Sequence, residues 1–201
     1  MFYLIGLQES QRQKSVWIIG SSIIKHAFSH ARATYDGISL GLNRKNCKVW
    51  WQGKGGMRWD ELVPKIENLL KKKYEHPPDI LVIHCGGNNL GYRKLHKFRH
   101  NIRSELSKVR VLLPNCKIVW SQILPRLIWR ASQNSWALNR AATRVNNLAA
   151  WQCVQSGGGY VKYPEIGWKE PGLFEEDGVH LSSFGNDLFL YRLQQFLQDF
   201  V

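Results

Sequence analysis

The chain has 201 residues, a net charge of +13, four cysteines and a hydrophobic fraction of 44%. This length suffices for one domain with a full core, and the cysteines form no CxxC or Cys/His cluster, so we predict a single domain over 1–201 in an intracellular, cytoplasmic location, without zinc or disulfides. The apolar run at 1–7 is too short for a signal peptide or a membrane span, which predicts a peripheral segment at 1–14.

The first predicted element is a strand at 16–19, because an unbroken run of four apolar residues is typical of a parallel strand buried on both faces. Gly20 ends the strand, and Ser21 and Ser22 follow where the chain would enter a helix. A serine there places its hydroxyl at the carboxyl edge of the sheet, where open α/β folds bind ligands. The alternative interpretation is that the serine is only a helix N-cap.

The rest of the chain repeats the strand, loop and helix order. We predict further strands at 47–51, 79–84, 117–120 and 160–162, and helices at 23–33, 59–74, 95–113, 133–155 and from Ser182 onward. Apolar residues recur three and four apart in the helical segments, as they do in amphipathic helices. This alternation predicts an α/β fold, a three-layer α/β/α sandwich around one five-stranded parallel sheet.

Glycines or polar residues follow several strand ends, and all such loops open at the same edge of a parallel sheet. The residues concerned are Ser22, Gly55, Gly56, Asn88, Asp177 and His180. A serine hydroxyl becomes a good nucleophile when a histidine takes its proton and a carboxylate orients that histidine. Bare backbone N–H groups and asparagine amides can stabilise the oxyanion that forms. The set predicts hydrolysis of an acyl bond.

Four sequence blocks resemble the SGNH (GDSL-type) hydrolase superfamily over nearly the whole chain. They are GSS at 20–22, GKGG at 53–56, GGNN at 86–89 and DGVH at 177–180. The resemblance implies a flavodoxin-like sheet, with Ser22 as the nucleophile and His180, oriented by Asp177, as the base. It also implies an oxyanion hole formed by the N–H groups of Ser22 and Gly56 and by the Asn88 amide. No cofactor and no metal are implied.

Two positions depart from the superfamily pattern. Ser21 and Asn89 each stand where the superfamily has aspartate, although the Asn-Asn pair is similar to that of the platelet-activating-factor acetylhydrolase branch. The adjacent hydroxyls leave Ser21 open as the alternative nucleophile. The individual residues of the blocks also resemble those in the esterase domains of vertebrate retrotransposons. This resemblance implies an ester or lipid substrate and neighbouring domains that handle nucleic acid.

Other candidate residues have weaker signals. Trp59, Arg126 and Trp129 follow strand ends and are expected, together with Asn89, to line a substrate pocket, although aromatic residues at such places often only pack. We interpret His84 as a satisfied strand residue, and the remaining histidines except His180 as surface positions of helices or turns. No pair of histidines has metal-ligand spacing.

The excess positive charge predicts a polyanionic partner, either nucleic acid or an anionic membrane surface. Much of this charge lies at 71–73 and 93–110 with helical spacing, where the alternative is a solvated outer face. Three functions therefore compete. The first is a serine esterase acting through Ser22 and His180. The second is a non-catalytic basic module that uses the same fold to bind nucleic acid, and the third is a lipid binder or lipid acylhydrolase that its charge recruits to a membrane surface.

Overall fold

The computed structural model describes residues 12–72 and 76–201. Its strands are β1 (Lys14–Gly20), β2 (Cys47–Gly53), β3 (Ile80–His84), β4 (Lys117–Ser121) and β5 (Gly159–Val161). Its α-helices are α1 (Ser22–Ala31), α2 (Leu62–Lys71), α3 (Leu95–Leu112), α4 (Ser135–Gln155) and α5 (Ser183–Phe200). The predicted alternation of strands and helices is confirmed.

The five strands form one parallel sheet in the order β2-β1-β3-β4-β5. This is the flavodoxin-like order, in which the chain leaves β1 toward β2 on one side and later returns to β3 on the other. Such a switch point opens a crevice outside the carboxyl ends of the two neighbouring strands. The loops after β1 and β3 therefore begin side by side.

Both faces of the sheet are covered by helices, which explains the continuous apolar run of β1. Trp17 and Ile19 belong to the core cluster that includes α2, α3 and α4, whereas Val16 and Ile18 belong to the cluster with α1 and α5. Trp50 lies on the edge strand β2, is partly buried, and packs edge-on against Trp17 at a centroid distance of 4.9 Å. The three-layer architecture predicted from the sequence is thus confirmed.

Some predicted boundaries differ from the structure. The predicted loop at 34–46 contains two short 3₁₀ helices, Gly37–Ser39 and Leu42–Lys45. The helix predicted from residue 59 begins as a 3₁₀ turn, Trp59–Glu61, and the end predicted at residue 74 lies outside the described residues. Residues 1–11 of the expected peripheral segment also lie outside them, and Lys14 already belongs to β1. Within the described ranges no helix has the length and hydropathy needed to cross a membrane.

Gly20 is the residue that allows α1 to start directly against the sheet. A Cβ atom at this position would lie 2.3 Å from the carbonyl oxygen of His84 and 2.5 Å from Cγ1 of Ile24. Only a residue without a side chain fits between the end of β3 and the first turn of α1. The close approach brings the start of α1 to the crevice between β1 and β3.

Candidate active site

Ser22 is the first residue of α1 and directs its hydroxyl toward the loop that precedes α5. Its Oγ lies 2.8 Å from Nε2 of His180, although the two residues are 158 positions apart in the chain. Ser21 occupies the N-cap position, but its buried side chain makes no capping hydrogen bond. Of the two adjacent hydroxyls, Ser22 is therefore the one placed against the imidazole.

Asp177 and His180 form the second half of this arrangement. Nδ1 of His180 lies 2.5 Å from Oδ2 of Asp177, while Oδ1 of Asp177 accepts the backbone N–H groups of Val179 and His180 at 2.9 Å each. Partial burial would raise the pKa of Asp177, but these hydrogen bonds outweigh it and hold the pKa below its ordinary value. Asp177 therefore stays ionised at neutral pH and fixes the ring orientation of His180.

A glycine turn holds this pair in place. Gly178 has a φ of 64°, and its carbonyl accepts the N–H groups of Leu127 and Ile128 at 2.9 and 3.2 Å. A Cβ on Gly178 would lie 2.9 Å from Cγ1 of Ile128. Both the left-handed backbone and the tight contact favour glycine here, so the turn is anchored to the segment that follows β4.

Two candidate oxyanion donors face the same crevice from other loops. Gly56, in the turn after β2, has a φ of 67°, and its N–H makes no hydrogen bond within the described residues. The Asn88 amide is fixed at both ends, since Nδ2 donates to the Met57 carbonyl and Oδ1 accepts from Nη2 of Arg126, each at 3.1 Å. The second hydrogen of Asn88 Nδ2 remains available for a ligand.

Arg126 and Trp129 border a cavity of about 210 Å³ that Gly56 and Asn88 also line. The guanidinium of Arg126 lies over the Trp129 ring at 4.8 Å. Asn139 of α4 holds both residues, because its Oδ1 accepts from Trp129 Nε1 and from the Arg126 N–H at 3.0 Å each. No sequence pattern points to Asn139, since a lone asparagine inside an amphipathic helix is not distinctive.

The expectation that Trp59 and Asn89 line a substrate pocket is wrong. Trp59 is only 1% exposed and packs in the core cluster of buried residues. Asn89 is also buried, and its Oδ1 accepts the Trp59 backbone N–H at 2.8 Å. Asn89 therefore ties the loop after β3 to the loop after β2, which keeps Asn88 and Gly56 in register.

His26 has a role that its interpretation as a helix surface residue missed. Its half-buried ring stacks on the ring of His180, with centroids 4.4 Å apart and planes 11° from parallel. His26 follows Ser22 by four residues on α1, and this spacing places both side chains on one face of the helix. That four-residue spacing is the sequence signal that could have identified His26 as part of the site.

His84, by contrast, is a buried structural residue, as predicted. Its Nδ1 lies 3.0 Å from Oγ of Ser121, which in turn lies 2.7 Å from the hydroxyl of Tyr163. Burial lowers the pKa of His84 to about 3, and the nearby charge of Arg126 acts in the same direction. His84 is therefore neutral below the site and adds no positive charge beneath Arg126.

One group of potential metal ligands occurs in the part of the chain that the structure describes. The ligand atoms of Glu175, Asp177 and His180 lie within 4.8 Å of one another. Asp177 and His180 are already hydrogen-bonded to each other, and His180 to Ser22. The donor set therefore fits an internal proton relay better than a metal centre.

No protein-family model matches the sequence, and no curated protein matches it at a significant level. Several solved structures are similar. A member of the lipolytic protein G-D-S-L family from Veillonella parvula is 13% identical, with a TM-score of 0.69 over 92% of this chain and 98% of that chain. A GDSL-like lipase from Bacteroides thetaiotaomicron is 17% identical, with a TM-score of 0.63 over 96% and 92%.

An acetyl esterase mutant with an acetate ion is 16% identical, with a TM-score of 0.67 over 92% of this chain and 97% of that chain. At these identities the comparisons establish architecture alone. The similarity extends over almost the full length of each protein, and it agrees with the strand order described above. The chain therefore has the α/β fold of the SGNH (GDSL-type) hydrolases.

Proposed function

We propose that this protein is a serine esterase that hydrolyses short acyl esters, acetyl esters foremost, through an acyl-enzyme on Ser22. The observation that carries the proposal is the continuous contact from Ser22 Oγ through His180 to Asp177, at 2.8 and 2.5 Å. These distances fit proton transfer from a hydroxyl to an oriented imidazole. Esterases among the structural neighbours support the same class of reaction.

In the acylation step, Ser22 Oγ attacks the ester carbonyl carbon while Nε2 of His180 takes the hydroxyl proton. Asp177 holds the other ring proton on Nδ1, so that Nε2 is free to accept, and it stabilises the imidazolium that forms. The negative charge on the carbonyl oxygen is met by the N–H groups of Ser22 and Gly56 and by the Asn88 amide. His180 then protonates the departing alcohol.

In the deacylation step, water replaces the alcohol and follows the same route in reverse. His180 takes a proton from the water, the hydroxide adds to the acyl carbon, and the tetrahedral intermediate collapses to release the carboxylic acid. Ser22 recovers its proton from Nε2. Atoms and charges balance without a cofactor, and every group that acts belongs to this chain.

The direct test combines turnover with covalent labelling. Purified protein is assayed with p-nitrophenyl acetate, butyrate and octanoate, and a fluorophosphonate probe that reacts with activated serines is then mapped by peptide mass spectrometry. We expect acetate to be hydrolysed and the label to lie on Ser22. Labelling of Ser21 would reassign the nucleophile, and absence of both label and turnover would refute the esterase function.

His26 gives a prediction about the pH profile. Its pKa is lowered by burial first and then by the neighbouring charge of His180 and of Lys25, against opposing effects of Glu175 and Asp177. His26 is therefore neutral at pH 7, and it becomes charged only as the pH falls below this lowered pKa. A charged ring stacked on His180 opposes formation of the imidazolium that the reaction requires, so protonation of His26 should lower the activity at acid pH.

The variant His26→Phe keeps a flat ring against His180 but cannot carry a charge. We expect its kcat/KM at pH 7 to remain within about threefold of the unmodified protein, and its loss of activity between pH 7 and 4.5 to be the smaller of the two. The measurement is kcat/KM for p-nitrophenyl acetate at half-unit pH intervals. Profiles that coincide in the two proteins after normalisation at pH 7 would contradict the coupling.

A second function is supported by the net charge of +13 and by the resemblance to retrotransposon esterase domains. In this alternative the domain binds nucleic acid or an anionic membrane, with or without turnover. Phosphate contacts release counterions, so affinity for nucleic acid would fall steeply with salt. Tight, salt-sensitive binding in a preparation that hydrolyses no ester would favour this function over the esterase.

A further inference from the structure

The cavity beside the candidate oxyanion donors has an unusual lining of charge. It shares Gly56 and Asn88 with the proposed oxyanion hole, and Arg58, Arg126 and Arg130 are also among its lining residues. At about 210 Å³ it is smaller than the cavities of roughly 300–1,000 Å³ that bury drug-sized ligands. Its size suits a short substituent next to the ester, not a long acyl chain.

None of these three arginines forms an ion pair within the described residues. The arginines that do so, Arg12, Arg44 and Arg192, lie elsewhere on the surface and have aspartate or glutamate partners. Glu61 is close to Arg58 in sequence but forms its ion pair with Lys54. Asp177 interacts electrostatically with Arg126, but its carboxylate is hydrogen-bonded to His180. Asp177 offsets part of the charge of Arg126, but within the described residues no carboxylate forms an ion pair with any of the three arginines, so the cavity keeps an excess of positive charge.

Among the three arginines, keeping the positive charge is least favourable for Arg126, because Arg126 is largely buried. Desolvation, followed by repulsion from Arg130, lowers the pKa of Arg126 to about 10, so the guanidinium remains charged at neutral pH. A charge held away from water without a counterion is unfavourable unless a ligand supplies the opposite charge. An anion in the cavity would supply that charge.

Aromatic rings hold two of the guanidinium groups by their faces. Arg126 lies over Trp129 at 4.8 Å, and Arg58 lies over Tyr92 at 5.3 Å. Stacking uses the flat face of a guanidinium and leaves its in-plane N–H donors free, and these donors match the oxygens of carboxylates and phosphates. One Nη2 donor of Arg126 is used by Asn88, and the rest can serve a ligand.

We propose that this cavity is a subsite for an oxyanion group, a carboxylate or a phosphate, carried by the ester substrate next to its scissile bond. The inference rests on the proposed esterase function, because the cavity shares Gly56 and Asn88 with the proposed oxyanion hole. It narrows the substrate class to small anionic esters. Arg126 would then have two roles. Its guanidinium would bind the anion of the substrate, and it also donates a hydrogen bond to Asn88, which is a proposed oxyanion donor.

The kinetic test uses ester pairs that differ mainly in charge. Mono-p-nitrophenyl succinate is compared with its methyl ester, and 3-acetoxypropyl phosphate with its dimethyl ester. We expect the anionic member of at least one pair to have the higher kcat/KM. In Arg58→Gln and Arg130→Gln this preference should fall about tenfold or more, which is the size of one charged hydrogen bond.

The matched control is Arg140→Gln, because Arg140 also stacks on an aromatic ring, Trp136 at 4.6 Å, but does not line this cavity. It should leave the charge preference unchanged. A preference that is absent from the unmodified protein, or that persists in both Arg58→Gln and Arg130→Gln, would overturn the proposal. Which pair responds identifies the anion as carboxylate or phosphate.

A binding measurement separates this proposal from the esterase function. Inorganic phosphate and succinate are titrated calorimetrically into Ser22→Ala protein with and without Arg130→Gln. Binding that weakens with Arg130→Gln, in a protein whose unmodified form hydrolyses no ester, would keep the anion subsite and refute the esterase function. Ester turnover without charge preference or anion binding would refute the subsite and keep the esterase.

Discussion

Replacing Ser22 by alanine is expected to lower kcat for p-nitrophenyl acetate by about 10⁴- to 10⁶-fold, because no other group can form the acyl-enzyme. The hydroxyl of Ser22 contacts Nε2 of His180 and does not cap α1. Its removal should therefore leave the fold unchanged. The measurement is steady-state kinetics, accompanied by the thermal unfolding midpoint of the variant.

Ser21→Ala is the matched control, since it removes the neighbouring hydroxyl from the same turn. Ser21 is buried and makes no side-chain capping bond, so we expect its variant to retain kcat within a few-fold. The opposite pattern, with activity lost in Ser21→Ala and kept in Ser22→Ala, would contradict the nucleophile assignment. Loss in both variants with a lowered unfolding midpoint would identify a structural effect on the turn.

The sheet could be predicted from the sequence because each strand is buried in a recognisable way. In β1, Val16 and Trp17 face opposite layers, so the buried positions 16–19 must all be apolar, and Gly20 marks the end where α1 approaches. Helix and loop boundaries were less predictable. Trp59 has the spacing of the α-helical stripe and is buried as that stripe requires, but it lies in a 3₁₀ turn that precedes α2.

The central residues of the candidate site could also be predicted, because Ser22, Asp177 and His180 each follow a strand end or lie in a short turn. Other contacts between side chains of different elements could not. The hydrogen bond from Arg126 to Asn88 joins loops that are 38 residues apart, and it depends on rotamers that no local pattern specifies. The hydrogen bonds of the buried Asn139 could not be predicted either, because they form only when α4 packs on the sheet.

Asp177→Asn is expected to lower kcat by about 10³- to 10⁴-fold while leaving the fold intact. The asparagine oxygen can still accept the backbone N–H groups of Val179 and His180 that Oδ1 binds at 2.9 Å. Its amide nitrogen then faces Nδ1 of His180 and donates to it, which places the ring proton on Nε2. In that tautomer His180 cannot take a proton from Ser22. The variant therefore keeps the structure of the turn and loses the proton transfer that activates Ser22.

The chain contains a matched control for this substitution. Asp187 lies 2.6 Å from Nε2 of His30 in another aspartate–histidine pair, on the surface between α5 and α1. Asp187→Asn should leave kcat unchanged. Because the pKa of Asp177 lies below its ordinary value, its carboxylate orients His180 throughout the neutral range, and the deficit of Asp177→Asn should persist from pH 6 to 8. A loss smaller than about tenfold, or an equal loss in Asp187→Asn, would mean that His180 is oriented by something other than this carboxylate.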